Sequence, residues 1–101
     1  MKESLVLNVE LDNRSGVAYV LEYLSCYAAA ENNPELAVRL AAAADALRRQ
    51  IKTPLSRADE DLLVKRLEPA RQTLKESYHN IWEQAQQIPI EEAVELALLN
   101  L

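Results

Sequence analysis

The sequence predicts an all-α fold built on two antiparallel helices that pack close together. Strong helix formers dominate the 101 residues, among which there are one glycine, four prolines and no phenylalanine. Small and large apolar residues also recur at helical spacing on one face of two successive segments. They are Leu21, Leu24, Ser25 and Ala28 in the first segment and Ala37, Leu40, Ala41, Ala44 and Leu47 in the second. This register predicts a helical hairpin.

The length and charge of the chain narrow the classes of function. A domain of 101 residues buries a modest core without a disulfide or a metal. The net charge is −5 with both signs interspersed, so we expect no direct nucleic-acid contact. The basic residues that do cluster flank a helix end, where the helix dipole explains them better than a phosphate site does. They are Arg48, Arg49, Lys52 and Arg57.

Cysteine content and the N-terminus favour a cytoplasmic location. Cys26 is the single cysteine and cannot form an intramolecular disulfide, and the first ten residues lack the pattern of a secretory signal. No apolar run approaches the roughly 20 residues that span a bilayer, and no basic amphipathic helix suits its surface. We therefore expect no membrane partner.

Two elements begin the chain, and the second of them is the first helix of the hairpin. Apolar residues alternate over residues 3–12 as in a strand, but no other strand exists to pair with them, and a lone strand is untenable. A helix is predicted over residues 14–31, with Asn13 or Ser15 as its cap. Gly16 then lies in its first turn, where glycine costs little.

Three further helices follow. Asn33, Pro34 and Glu35 form a strong start signal for a helix over residues 34–51. Ser56 caps a long helix predicted over residues 56–86, with a kink or break just before Pro69. A short closing helix is predicted over residues 90–99.

No residue pattern assembles a catalytic, metal or cofactor site, so we do not expect an enzyme. The acidic run at residues 59–61 begins a helix, where three consecutive side chains point in three directions and cannot share one ion. His79 is the only histidine and is expected on an exposed face. Cys26 fits a small apolar helical residue. Tyr78 and Trp82, one turn apart, fit a core face better than an aromatic ligand clamp.

The hairpin resembles one tetratricopeptide repeat, in which large residues of the first helix receive small residues of the second. More specifically, residues 3–25, residues 32–50, Leu74, Tyr78, Trp82 and residues 90–98 together resemble the C-terminal tetratricopeptide-like region of large multidomain bacterial proteins. These are ATP-dependent transcriptional regulators of the MalT and LuxR-type class and related cyclases and kinases. The resemblance implies that residues 3–12 form the closing helix of a preceding repeat. It also implies a sensor or protein-interaction surface, with the chemistry in other domains.

The candidate partner-binding residues are Tyr19, Glu22, Tyr23 and Cys26. Tyr19, Tyr23 and Cys26 share a second face of the 14–31 helix with Tyr27, and tyrosines suit the capture of a protein or peptide. The resemblance places Tyr19, Glu22 and Cys26 at groove positions. The alternative is that the N-terminal or the fourth helix covers this face.

These patterns predict a non-catalytic protein-interaction or signal-sensing module, and the resemblance implies that it is the C-terminal part of a transcriptional regulator. The alternative is a stand-alone small adaptor or a homodimer, because a helical-repeat fragment ends in unpaired apolar faces.

Overall fold

The computed structural model describes all 101 residues and contains six α-helices and no strand. They are α1 (Lys2–Glu10), α2 (Arg14–Ala30), α3 (Pro34–Ile51), α4 (Arg57–Leu74), α5 (Ser77–Ala85) and α6 (Ile90–Asn100). The all-α prediction is confirmed. The predicted bounds of α1, α2, α3 and α6 agree with the structure to within two residues, so the first segment is a helix and not a strand.

The single long helix predicted over residues 56–86 is wrong. α4 ends at Leu74 and α5 begins at Ser77, because Lys75 takes φ 51° and ψ −118°, which no α-helix accommodates. A break at Pro69 is not observed either. Pro69 lies inside α4 on its exposed side, and its missing amide removes only one helix hydrogen bond.

Side-chain hydrogen bonds cap the N-termini of two helices, as predicted. The Asn13 side chain accepts a hydrogen bond from the amide of Gly16 at 3.2 Å, and the Ser56 hydroxyl accepts one from the amide of Asp59 at 3.2 Å. Asn33 makes no such bond, so Pro34, with its preset φ and no amide to satisfy, begins α3 without a side-chain cap.

The first three helices each end in the same type of turn. At the end of α2, the amide of Asn33 bonds the carbonyl of Ala28 and the amide of Asn32 bonds that of Ala29, with Asn32 at φ 61°. The same pair of bonds recurs around Asp12 after α1 and Lys52 after α3. This is the Schellman arrangement, here closed by residues other than glycine. The turn after α2 reverses the chain, so α2 and α3 are antiparallel, with Ser25 bonded to Ala37 and Glu22 bonded to Arg48.

The core is centred on the α2–α3 hairpin, which supplies eight and nine of the 23 buried residues. Small residues at the contact, including Ala28, Ala37 and Ala41, are at most 1% exposed. The fully buried Ser25 hydroxyl donates a hydrogen bond to the carbonyl of Ala37 at 2.6 Å. A side chain on one helix bonds the main chain of the other, which requires the two backbones to lie close together.

The other helices pack around this hairpin. α1 buries only Leu5, against α2. α4 lies on α2 and α3 through Leu67 and Ala70, while α5 lies on α3. α6 buries Ala93 and Ala97 and contacts α1, α2 and α3. No helix is both long enough and apolar enough to cross a membrane.

Ala37→Leu should lower the free energy of unfolding by about 1–3 kcal/mol, because Ala37 is fully buried where α2 meets α3 and the larger side chain has no room there. Ala58→Leu is the matched control, since Ala58 is an exposed alanine of α4. Urea unfolding followed by circular dichroism measures both variants. Equal midpoints for the two would contradict the close contact.

Candidate partner-binding groove

α2 and α4 form the two walls of an open groove. Asp59 lies near the Glu22–Arg48 pair and Arg66 lies near Cys26, so α2 and α4 lie side by side and run in the same direction. The groove has a volume of about 430 Å³. Its lining residues are Tyr19, Glu22, Tyr23, Cys26, Tyr27, Arg48, Leu55, Asp59, Leu62, Leu63 and Arg66. All four predicted partner-binding residues thus lie on one concave surface.

The α2 wall is a ridge of tyrosines spaced one turn apart. Tyr19, Tyr23 and Tyr27 are 61%, 50% and 49% exposed. The alternative that α1 or α4 covers this face is therefore wrong, because α4 stands beside the ridge and not on it. Cys26 lies lower in the same wall and is half-buried. The ridge offers aromatic surface together with hydroxyl groups, the combination that interfaces favour.

The floor of the groove is an ion pair between α2 and α3. Arg48 donates from Nε to Glu22 Oε2 at 2.6 Å and from Nη2 to Glu22 Oε1 at 2.9 Å. Its Nη1 also donates to the carbonyl of Thr53 at 3.1 Å. The two side chains are only 12% and 10% exposed. Hydrogen bonding to Glu22 raises the pKa of Arg48 despite the opposing effect of burial, so the guanidinium stays charged and Glu22 presents no free charge to the groove.

The α4 wall was not predicted from the sequence. It consists of Leu55 in the preceding loop and of Asp59, Leu62, Leu63 and Arg66 on the helix. A signal for it exists in the sequence, since residues 62–64 are three consecutive apolar residues of a helix and cannot all face one core. Leu62 is 47% exposed, and no residue of α4 before Leu67 is buried.

Cys26 is shielded by its surroundings. Burial raises the pKa of its thiol, and the nearby positive charge of Arg66 acts in the opposite direction without cancelling the effect. The thiol is therefore less reactive than an exposed cysteine at neutral pH. This fits a packing role at the edge of the groove and not that of an activated nucleophile.

A second cleft of about 560 Å³ lies on the other side of α4, against α3 and α5. It shares Glu22, Arg48, Leu55 and Leu63 with the groove. Its far wall carries the half-buried Tyr78 and Trp82, with ring centroids 6.0 Å apart. These two aromatic residues pack against the core, as predicted, and also face this cleft.

Charged groups surround the aromatic pair. The guanidinium of Arg71 lies 5.5 Å from the centre of the Tyr78 ring. Burial raises the pKa of Tyr78, and the charge of Arg71 opposes that shift. Asp45 bonds both Arg49 and the side-chain amide of Gln86, which ties α3 to the end of α5. The second cleft therefore has most of its charges engaged within the chain.

The remaining chemically active residues do not converge. No group of three or more His, Cys, Asp or Glu side chains is arranged to hold a metal ion. Asp59 lines the groove whereas Glu60 lines the second cleft, so the acidic run diverges as expected. His79 is 80% exposed and pairs with Glu83 of its own helix at 3.0 Å.

Removing one partner of the ion pair in the groove floor should lower the free energy of unfolding substantially. Arg48→Met leaves the Glu22 carboxylate buried without a countercharge, and we expect a loss of about 3 kcal/mol in the free energy of unfolding. Arg39→Met breaks the exposed pair with Glu35 and should cost less than about 1 kcal/mol. Chemical denaturation measures both, and equal losses would contradict a buried pair.

Cys26 should resist alkylation until the pH is well above neutral. Since its pKa is higher in the folded than in the unfolded chain, the pH midpoint of its reaction with iodoacetamide should be higher without urea than with it. By the same linkage, the thiol's contribution to stability is complete below the unfolded pKa and is lost as the pH rises through the folded pKa. Arg66→Gln should move the folded midpoint higher still. A folded midpoint at or below the unfolded one would refute this assignment.

Comparisons with protein-family models, with curated protein sequences and with solved structures found no match to this chain. The resemblance to bacterial transcriptional regulators therefore remains a prediction from the residues quoted above.

Proposed function

We propose that this chain is a non-catalytic protein-interaction module that binds its partner in the groove between α2 and α4. One observation carries the proposal: three consecutive turns of α2 present tyrosines that are about half exposed, beside a concave floor. Tyrosine gives a large contact area at a low cost in side-chain entropy, together with a hydroxyl for hydrogen bonding. A fold that needed these rings for its own core would have buried them.

The character of the groove favours a protein partner over nucleic acid. Its floor charges neutralise each other, and its walls add one anion, Asp59, and one further cation, Arg66. Phosphate backbones are bound by clusters of unpaired cations. A peptide or a helix instead suits an open trough with apolar and tyrosine walls. These features and the divergence of the titratable groups support a binding role without catalysis.

The resemblance supports a more specific setting, as the C-terminal part of a cytoplasmic bacterial transcriptional regulator. In that setting the groove would receive a signal-bearing partner, and other domains would carry the chemistry and the DNA contacts. The second candidate function is that of a stand-alone adaptor or a homodimer. Exposed apolar residues near the N-terminus favour it, since Leu7 of α1 and Leu11, which follows the helix, are 54% and 67% exposed.

The test is photocrosslinking with p-benzoylphenylalanine placed at Tyr23 in the source cells. We expect a covalent adduct that mass spectrometry maps to one defined polypeptide segment. The same amino acid at Leu99 is the control, because Leu99 is 75% exposed on α6, which does not line the groove.

The Tyr19→Ala/Tyr23→Ala variant, with the photoreactive group moved to Tyr27, separates binding from folding. It should lose the adduct and keep its free energy of unfolding to within about 1 kcal/mol, because exposed side chains contribute little to stability. Equal adducts at Tyr23 and Leu99, or none at Tyr23, would refute the proposal.

A further inference from the structure

We propose that the partner in the groove is a second copy of this chain, bound across a two-fold axis that passes close to Leu62. This inference rests on the proposed function, because it names the occupant of the same groove. In the dimer, α4 of each copy lies antiparallel to α4 of the other. Each α4 also lies along the tyrosine ridge of its partner.

The charge pattern of α4 carries the proposal. Asp59, Leu62 and Arg66 lie three and four residues apart and so share one stripe of the helix. All three line the groove, and the exposed leucine stands between an anion and a cation about 10 Å apart along the axis. Neither Asp59 nor Arg66 forms an ion pair within the chain, whereas four pairs between an arginine and a carboxylate do form.

A stripe with this pattern is complementary to itself. In a two-fold interface, if residue i of one copy contacts residue j of the other, then residue j of the first copy also contacts residue i of the second. Rotation about an axis near Leu62 exchanges the two ends of the stripe, so each Asp59 meets an Arg66 of the other copy. Both ion pairs form at once, and Leu62 packs near its own symmetry mate. A parallel arrangement would instead place like charges together.

The tyrosine ridge of α2 is also compatible with a two-fold axis. Tyr23 lies midway between Tyr19 and Tyr27, so reversing the direction of the ridge leaves an equivalent row of rings. The rest of the groove surface adds no charge that would repel a second copy, since Glu22 is bound by Arg48. The net charge of −5 on each chain lies outside the groove lining, where salt screens its repulsion. The contact face itself is balanced.

Sedimentation equilibrium of the full chain tests the proposal through two charge reversals. The native protein should have twice the chain mass of 11.4 kDa. Asp59→Arg places an arginine opposite each Arg66, and Arg66→Asp places an aspartate opposite each Asp59. Each variant alone should therefore sediment as a monomer of 11.4 kDa. When the two variants are mixed, every contact again joins opposite charges, and the mixture should recover the dimer mass.

Two neighbouring residues supply matched controls. Asp61→Arg and Lys65→Asp make the same changes of charge on α4 at exposed residues outside the groove lining. Both should keep the dimer mass, and circular dichroism establishes that all four variants are folded. A monomeric native chain, single reversals that keep the dimer mass, or a mixture that stays monomeric would each overturn the inference.

The crosslink from Tyr23 separates the two proposals. An adduct with this chain's own sequence supports the second copy. An adduct with a different protein, together with a monomeric native chain, overturns the second copy but leaves the proposed function standing. The absence of any adduct overturns the proposed function itself.

Discussion

The fold depends on how closely α2 and α3 approach each other. The alanines between them leave room for the hydroxyl of Ser25 to reach the carbonyl of Ala37, and that bond satisfies the one buried hydroxyl at the centre of the core. Because α3 also packs against α4, α5 and α6, an error in this distance would be passed to every later helix. The same approach brings Glu22 and Arg48 together and so sets the floor of the groove.

α4 is attached to this hairpin unevenly. Its second half is held by Leu67 and Ala70, whereas the half before Leu67 buries no side chain and packs against the core only through the partly buried Leu63. A helix half with so few buried contacts opens at low free energy cost compared with the core. The groove therefore has one firm wall, α2, and one wall that is only partly supported.

The sequence predicted the helices well where local chemistry controls them. Asn13, Pro34 and Ser56 each mark a helix start, and the apolar register between Leu21 and Leu47 predicts the hairpin that is observed. The break at Lys75 was missed because a positive φ usually signals glycine, and the only glycine of the chain is in a first turn. The turns at Asp12 and Asn32 also take a positive φ without glycine, but their positions were predicted because Asn13 and Pro34 mark the starts of the next helices.

The two walls of the candidate groove differ in how far the sequence predicted them. One wall was predicted because tyrosines at Tyr19 and Tyr23 exceed what a single buried face of α2 requires. The other wall was not, because Asp59 and Arg66 read as ordinary solvated charges until the fold sets α4 beside α2. Which of two exposed faces meets a neighbouring helix depends on the path of the chain through the intervening loop, and no local pattern encodes that path.

Leu55, Leu63, Glu22 and Arg48 belong to the groove and to the second cleft at the same time. A molecule that displaces any of them on entering one cavity necessarily changes the shape of the other. By thermodynamic linkage the influence runs equally in both directions, so a small ligand beside Tyr78 and Trp82 and a protein in the groove would strengthen or weaken each other by the same factor. The two sides of α4 are therefore not independent surfaces, because they share part of their walls.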